Sequence, residues 1–199
     1  MPGTMEYYDK TAAEWAERGY AQGAELECLR DFLNMLSSGS RILDLCCGAG
    51  YESGRMADAG YEVVGIDFSE ESLKIARQKN PTVSFYREDI LCDYSHIGAV
   101  DGIIVIAGLV HIETTKLPLA FEQMRKVLKK DGKLLVSVRD GIGRMTDRSL
   151  CEIEGEQYDR NFIAHTLEEL EIAAEGLFSY QCELKSDICG WKNYVFSRI

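Results

Sequence analysis

The sequence has no apolar run of about 18 residues, so nothing in it reads as a membrane-spanning helix. Its opening, MPGTMEYYDK, lacks a basic stretch followed by an apolar one, and no secretory signal is expected. Basic residues are scarce: 22 Lys and Arg stand against 33 Asp and Glu, a formal net charge of −11. That balance argues against a broad nucleic-acid surface, whose affinity comes from Lys and Arg. It leaves room for a small local basic patch. There is no CxxC pair, and none of the three histidines (His96, His111 and His165) has a cysteine at metal-ligand spacing, so no metal site is expected. The seven cysteines are an odd count without a secretory signal, which points to free thiols in a reducing, cytoplasmic setting. No low-complexity stretch, charge block or internal repeat appears.

What is present is ordinary globular material. The chain has 199 residues, 46% hydrophobic and 28% charged, enough for one domain with its own core. Short β-branched runs alternate with amphipathic helical segments. Residues 5–18 read as a helix, with Thr11 and Glu14 at capping-box spacing, and residues 22–37 as a second, one-faced helix on Leu26, Leu29, Leu33 and Leu36, ended by Ser37-Ser38-Gly39. RILDL (41–45) reads as a buried strand, CCGAG as a tight loop and residues 51–59 as a helix. YEVVGI (61–66) is a second strand, followed by a helix over 70–79 that Ser69 caps and Asn80-Pro81 stops. TVSFYR (82–87) and IIVIA (103–107) are further strands. Leu117, Phe121, Met124 and Leu128 line the next helix, and Asp131-Gly132 turns into KLLVSV. Residues 140–161 carry little periodicity and read as a long connection, of the kind that is functional in a compact domain. Thr166 and Glu169 open a helix to about 175, and two β segments near 178–186 and 191–198 form a hairpin, so one of them runs antiparallel to the rest. The alternation predicts an α/β fold with a mainly parallel sheet.

In such a sheet ligands bind beyond the carboxyl ends of the strands. Four strand ends carry distinctive residues. Asp44-Leu-Cys46-Cys-Gly48-Ala-Gly50 offers glycines for close backbone approach, a helix N-terminus and an acid that can hold a cation. Gly65-Ile-Asp67-Phe68 places an acid where its two oxygens can grip a ribose diol. Glu88-Asp89-Ile90 offers a carboxylate for an exocyclic amine and an apolar surface for a base. Ala107 to His111 follows the fourth strand. A dinucleotide site wants G-x-G-x-x-G, and Gly48-x-Gly50-x-x-Ser53 lacks the third glycine. A site for S-adenosylmethionine has no phosphate to cradle, and Asp44 would repel a pyrophosphate but favour an ammonium or sulfonium group.

At these residues the chain resembles the class I S-adenosylmethionine-dependent methyltransferases of the small type. ILDLCCGAG resembles their first motif, GIDFS their ribose-binding acid, EDI their adenine-binding acid and VDGIIVIAGLVHIE the motif after strand four. KVLKKDGKLLVSV resembles the entry to strand five and GWKNYVFSRI the terminal hairpin. The resemblance implies a Rossmann-like, doubly wound sheet of seven strands, the seventh antiparallel and inserted beside the fifth. It implies S-adenosyl-L-methionine as cofactor, held by Asp44, Cys46, Gly48, Gly50, Asp67, Phe68, Asp89, Ile90 and Ala107. Cys46 departs from the glycine usual at its position and suggests a narrower passage. One domain is expected: a helical cap over 1–38, the cofactor core over 39–139, a substrate lid over 140–165 and a closing helix and hairpin over 166–199.

The implied chemistry is methyl transfer to an O, N or S atom of a small molecule. His111 is a candidate base, since histidine titrates near neutral pH, or a structural histidine in a loop. Tyr7, Tyr8 and Trp15, with Arg139 and Arg160, are candidate lid or substrate residues, or ordinary helix packing and a solvated loop. Three rivals share parts of the pattern: an RNA methyltransferase, which should show a basic face with aromatics, a nicotinamide dehydrogenase, and a non-catalytic binding protein.

Overall fold

The structure is a computed structural model that describes residues 1–21 and 26–199. Two helices come first, α1 (Thr4–Ala21) and α2 (Glu27–Leu33). Then β1 (Arg41–Leu45), α3 (Tyr51–Asp58), β2 (Glu62–Asp67), α4 (Glu70–Lys79), β3 (Ser84–Arg87) and β4 (Val100–Ile106) alternate. Next are α5 (Leu117–Val127), β5 (Leu128–Arg139), β6 (Gly143–Arg144), α6 (Thr146–Ser149), β7 (Leu150–Ile153), β8 (Glu156–Asp159) and β9 (Ile163–Ala164). The chain closes with α7 (Leu167–Ala173), β10 (Phe178–Leu184) and β11 (Trp191–Arg198).

Seven strands form one sheet in the order β10-β11-β5-β4-β1-β2-β3. β11 lies antiparallel to both β5 and β10, while β1, β2, β3, β4 and β5 pair in parallel. This is the doubly wound sheet expected from the sequence, with its antiparallel strand beside the fifth.

Successive residues of the central strands pack into two different apolar layers. Ile42, Ile104 and Leu135 join Leu29, Phe32, Met56 and Leu73 on the face that carries α2, α3 and α4. Leu43, Leu45, Ile103, Val105, Leu134 and Val136 join Phe121, Met124, Leu170 and Phe178 on the face of α5 and α7. A strand buried on both faces reads as a continuous apolar run, which is why RILDL and IIVIA show no alternation in sequence.

Several local expectations are corrected. Thr11 does not begin a helix: it lies inside α1, and its hydroxyl donates to the Tyr7 carbonyl one turn back at 2.7 Å. The pair Thr166–Glu169, with the same spacing, does cap a helix through both reciprocal bonds. The helix expected over 22–37 spans Glu27–Leu33, and residues 22–25 lie outside the described residues. Leu128 begins β5 rather than ending α5, and Asp131, at φ 62°, sits where the pairing of β4 with β5 shifts register. The connection over 140–161 is not structureless. It holds α6, the hairpin of β7 and β8, and β6, which pairs with β9. Its strands are two to four residues long, too short for a periodicity to show.

Candidate active site

The loop after β1 turns back sharply. Gly50, at φ 77°, is the N-cap of α3, and a Cβ there would meet Ala76 Cβ and Phe85 Cζ at 2.9 Å, so only glycine fits. Gly48, at φ 53°, faces open space: nothing lies within 4 Å of where a side chain would begin. Cys46 (φ 63°) and Ala107 (φ 59°) are non-glycine residues in the left-handed region, at the ends of neighbouring strands β1 and β4. Strain of this kind gathers at functional sites.

Beyond the carboxyl edge of the sheet lie two adjoining cavities. The larger, about 230 Å³, is lined by Cys46, Gly48, Asp67, Phe68, Ala107 and His111 on the sheet side. Tyr8, Trp15, Arg148, Arg160, Phe162 and Trp191 close it from α1, the 140–164 segment and β11. The smaller, about 160 Å³, is lined by Met5, Asp89, Ile90 and Ile112, and shares Cys46, Phe68, Gly108 and His111 with its neighbour.

Asp67 ends β2 with both oxygens engaged: Oδ2 accepts from the Gly48 N–H and Oδ1 from the Ser69 N–H, each at 2.8 Å. Burial outweighs these bonds and pushes its carboxyl up to about 6. Asp44 is elsewhere. It shares the parity of Ile42 in β1, faces α3 and takes the Ser53 hydroxyl at 2.5 Å, away from the walls of both cavities. Its carboxyl is pushed up to about 7 by burial. Burial also holds Cys46 as a neutral thiol, with the charges of Asp67, Asp89 and Asp44 adding to the effect, so it is a wall and not a nucleophile.

His111 stands between the two cavities. Its Nδ1 lies 2.5 Å from the Asn161 carbonyl, which has no hydrogen to give, so Nδ1 donates. Nε2 is left as the acceptor for the Tyr8 hydroxyl at 2.9 Å. Burial drives the imidazole down to about 4, so it is neutral at physiological pH. Burial likewise raises the Tyr8 phenol, keeping its hydrogen in place.

Other expected residues stand back from the cavities. Tyr7 is buried, packs edge-on against Tyr8 and Tyr158, and carries the Arg160 guanidinium 4.7 Å above its ring. Arg139 donates to the Cys189 carbonyl at 2.6 Å. Phe162, Trp191 and Arg148 were not singled out by the sequence reading. Trp191 had a legible signal: the first residue of a strand antiparallel to β5 must lie at the carboxyl end of β5, where it pairs with Arg139.

The pieces fit an adenosine-type cofactor with an amino-acid tail. An acid ends β2, Asp89 and Ile90 line a second cavity, Phe68 lies between, and the backbone is bare at Gly48. A doubly wound sheet with this edge defines an α/β nucleotide-cofactor domain. Residues 42–132 match a family model described as a methyltransferase domain. A demethylmenaquinone methyltransferase of Renibacterium salmoninarum is 34% identical over 99 residues, 50% of this chain and 41% of that protein. A malonyl-[acyl-carrier protein] O-methyltransferase of Erwinia pyrifoliae is 31% identical over 158 residues, 77% of this chain and 57% of that protein. The chain thus spans less than two thirds of these relatives. Among solved structures, a TehB-like SAM-dependent methyltransferase of Corynebacterium glutamicum has the same fold, with a TM-score of 0.71 at 19% identity over 98% of this chain and 100% of that one. Residues 42–132 thus resemble a methyltransferase domain, and the whole chain shares the fold of a solved S-adenosylmethionine-dependent methyltransferase.

Proposed function

We propose that the protein transfers a methyl group from S-adenosyl-L-methionine to an O, N or S atom of a small-molecule acceptor. The observation that carries this is the pair of adjoining cavities with Asp67 and Gly48 on one wall and His111 between them. Asp67 would take the ribose hydroxyls, Asp89 and Ile90 the base, and Gly48 with Cys46 and Ala107 the amino-acid tail. Gly50 shapes the loop, and Asp44 braces it from below through Ser53. When bound, the cofactor supplies an electrophilic methyl on a sulfonium whose sulfur keeps the bonding pair.

The acceptor's lone pair takes the methyl and its proton must leave. Tyr8 and His111 are placed to receive it: Tyr8 passes its hydrogen to His111 Nε2 and takes the acceptor's in exchange. Residues 1–38 and 140–165 act as a two-part lid on the core over 39–139, with residues 166–199 completing the sheet. Lys10 pairs with Glu154, Asn161 N–H donates to Thr4 Oγ1 at 2.9 Å, and Asp159 N–H to the Pro2 carbonyl at 2.9 Å, so the two parts are fastened to each other. Closing them excludes water and orients the acceptor. With no broad excess of basic residues, a small molecule is favoured over RNA.

Calorimetric titration with S-adenosylhomocysteine tests this. We expect micromolar binding to the wild type, loss of at least about tenfold in affinity in Asp67→Ala, and unchanged binding in His111→Ala. No binding to the wild type, with NADH binding instead, would sink the proposal.

A further inference from the structure

Arg148 and Arg160 form a pair with no counter-ion. Both guanidiniums stand over the ring of Phe162, at 5.7 and 5.2 Å, and Arg160 Nε donates to the Arg148 carbonyl at 3.2 Å. Both line the larger cavity. Among the described residues neither makes an ion pair, although acids outnumber bases by 33 to 22 in the chain. Two neighbouring cations are matched, Arg144 with Asp159 and Lys10 with Glu154. Two like charges over one ring repel, and an anion between them relieves the repulsion. Guanidinium groups fit a carboxylate two bonds at a time. The remaining surface around them is aromatic, from Trp15, Phe162 and Trp191.

We propose that the acceptor is a small aromatic or apolar carboxylic acid, anchored by Arg148 and Arg160, whose second, protonated group faces Tyr8. The inference rests on the methyltransferase reading for its chemistry. The anion site itself is testable without that reading, because Trp15 and Trp191 are the chain's two tryptophans and both line this cavity. Their emission reports on the site, and Arg18, which lies 5.3 Å over the Trp15 ring, stays the same in every variant.

In the first arm, iodide and caesium quench this emission in the protein with and without S-adenosylhomocysteine. Iodide should quench about threefold more strongly, and the preference should vanish in Arg148→Ala/Arg160→Gln. The single variant Arg148→Ala, at an exposed position, should halve it without any risk to folding. In the second arm, calorimetry should show 4-hydroxybenzoate and indole-3-acetate binding at concentrations about tenfold below those of their primary amides. Calorimetry should give the same S-adenosylhomocysteine affinity in the wild type and the variants. Equal quenching by the two ions overturns the anion site, and equal binding of acids and amides overturns the acceptor class. A tenfold loss of S-adenosylhomocysteine affinity in the variants would assign the arginines to the cofactor's own carboxylate and also overturn it. A wild type that ignores S-adenosylhomocysteine but prefers iodide would refute the methyltransferase reading while leaving the anion site standing.

Discussion

Asp67 and Asp44 are the same residue type near the ends of adjacent strands, yet they do different work. Asp67 faces the cavity and Asp44 the underside of α3. Burial lifts both carboxyls, so each binds a proton where a surface aspartate would not. A ribose diol donating to both Asp67 oxygens favours the ionised form, and binding should then release a proton. Affinity for S-adenosylhomocysteine should therefore rise as pH goes from 5 through about 6 and level off above 7. Calorimetry at several pH values checks this, and an affinity flat from pH 5 to 7 would contradict the ribose role. Asp67 was legible because a strand-ending acid followed by a helix start has few structural duties, Ser69 already capping α4. The orientation of Asp44 was not legible: RILDL is apolar on both faces and does not say which parity looks toward which layer.

At the level of elements, Ser69 is a junction. Its N–H holds Asp67, its hydroxyl caps α4 by accepting from Ser72 N–H at 3.1 Å, and the same hydroxyl donates to Asp9 of α1 at 2.7 Å. Ser69→Ala should cost about 1–2 kcal/mol in a urea titration, as for a lost N-cap, and should also speed amide exchange along α1. Normal protection of α1 in that variant would show that the helix is held by other contacts. The segments proposed as a lid were also the least legible in the sequence. Thr11 and Thr166 have matching patterns, but only the second sits at a helix start, since the run before Thr11 continues in helical form and packs on α4 and the β8 strand. Within 140–164, what orders the chain is remote: Pro2, Thr4 and Lys10 on one side, His111 and Glu113 on the other. Local pattern carries no trace of partners so distant, whereas the β-α alternation over 41–139 is fixed by neighbours in sequence.

For the molecule as a whole, the buried acids set the pH dependence of stability. Asp44, at about 7, and Asp67, at about 6, are raised above their ordinary value of 3.8, so ionising them opposes folding. That cost is absent near pH 4, grows as pH rises and is complete above about 7. His111, lowered to about 4, works in the other direction, its cost appearing as pH falls below 6.5. A tenfold change in proton affinity between the folded and unfolded chain is worth about 1.4 kcal/mol, and each kcal/mol moves the midpoint by about 2–4 °C in a chain of this size. Asp44→Asn should therefore raise the thermal midpoint by several degrees more at pH 8 than at pH 4, where it should change little. An equal change at both pH values would mean that Asp44 titrates normally. The distances between lid partners have a consequence for biosynthesis. α1 is translated before every residue that fastens it: Ser69 comes 60 residues after Asp9, His111 103 after Tyr8 and Asn161 157 after Thr4. A chain halted before residue 140 already holds Ser69 and His111 for α1 but none of the partners of Thr4 and Lys10 in the 140–164 segment, so that side of the chamber stays open.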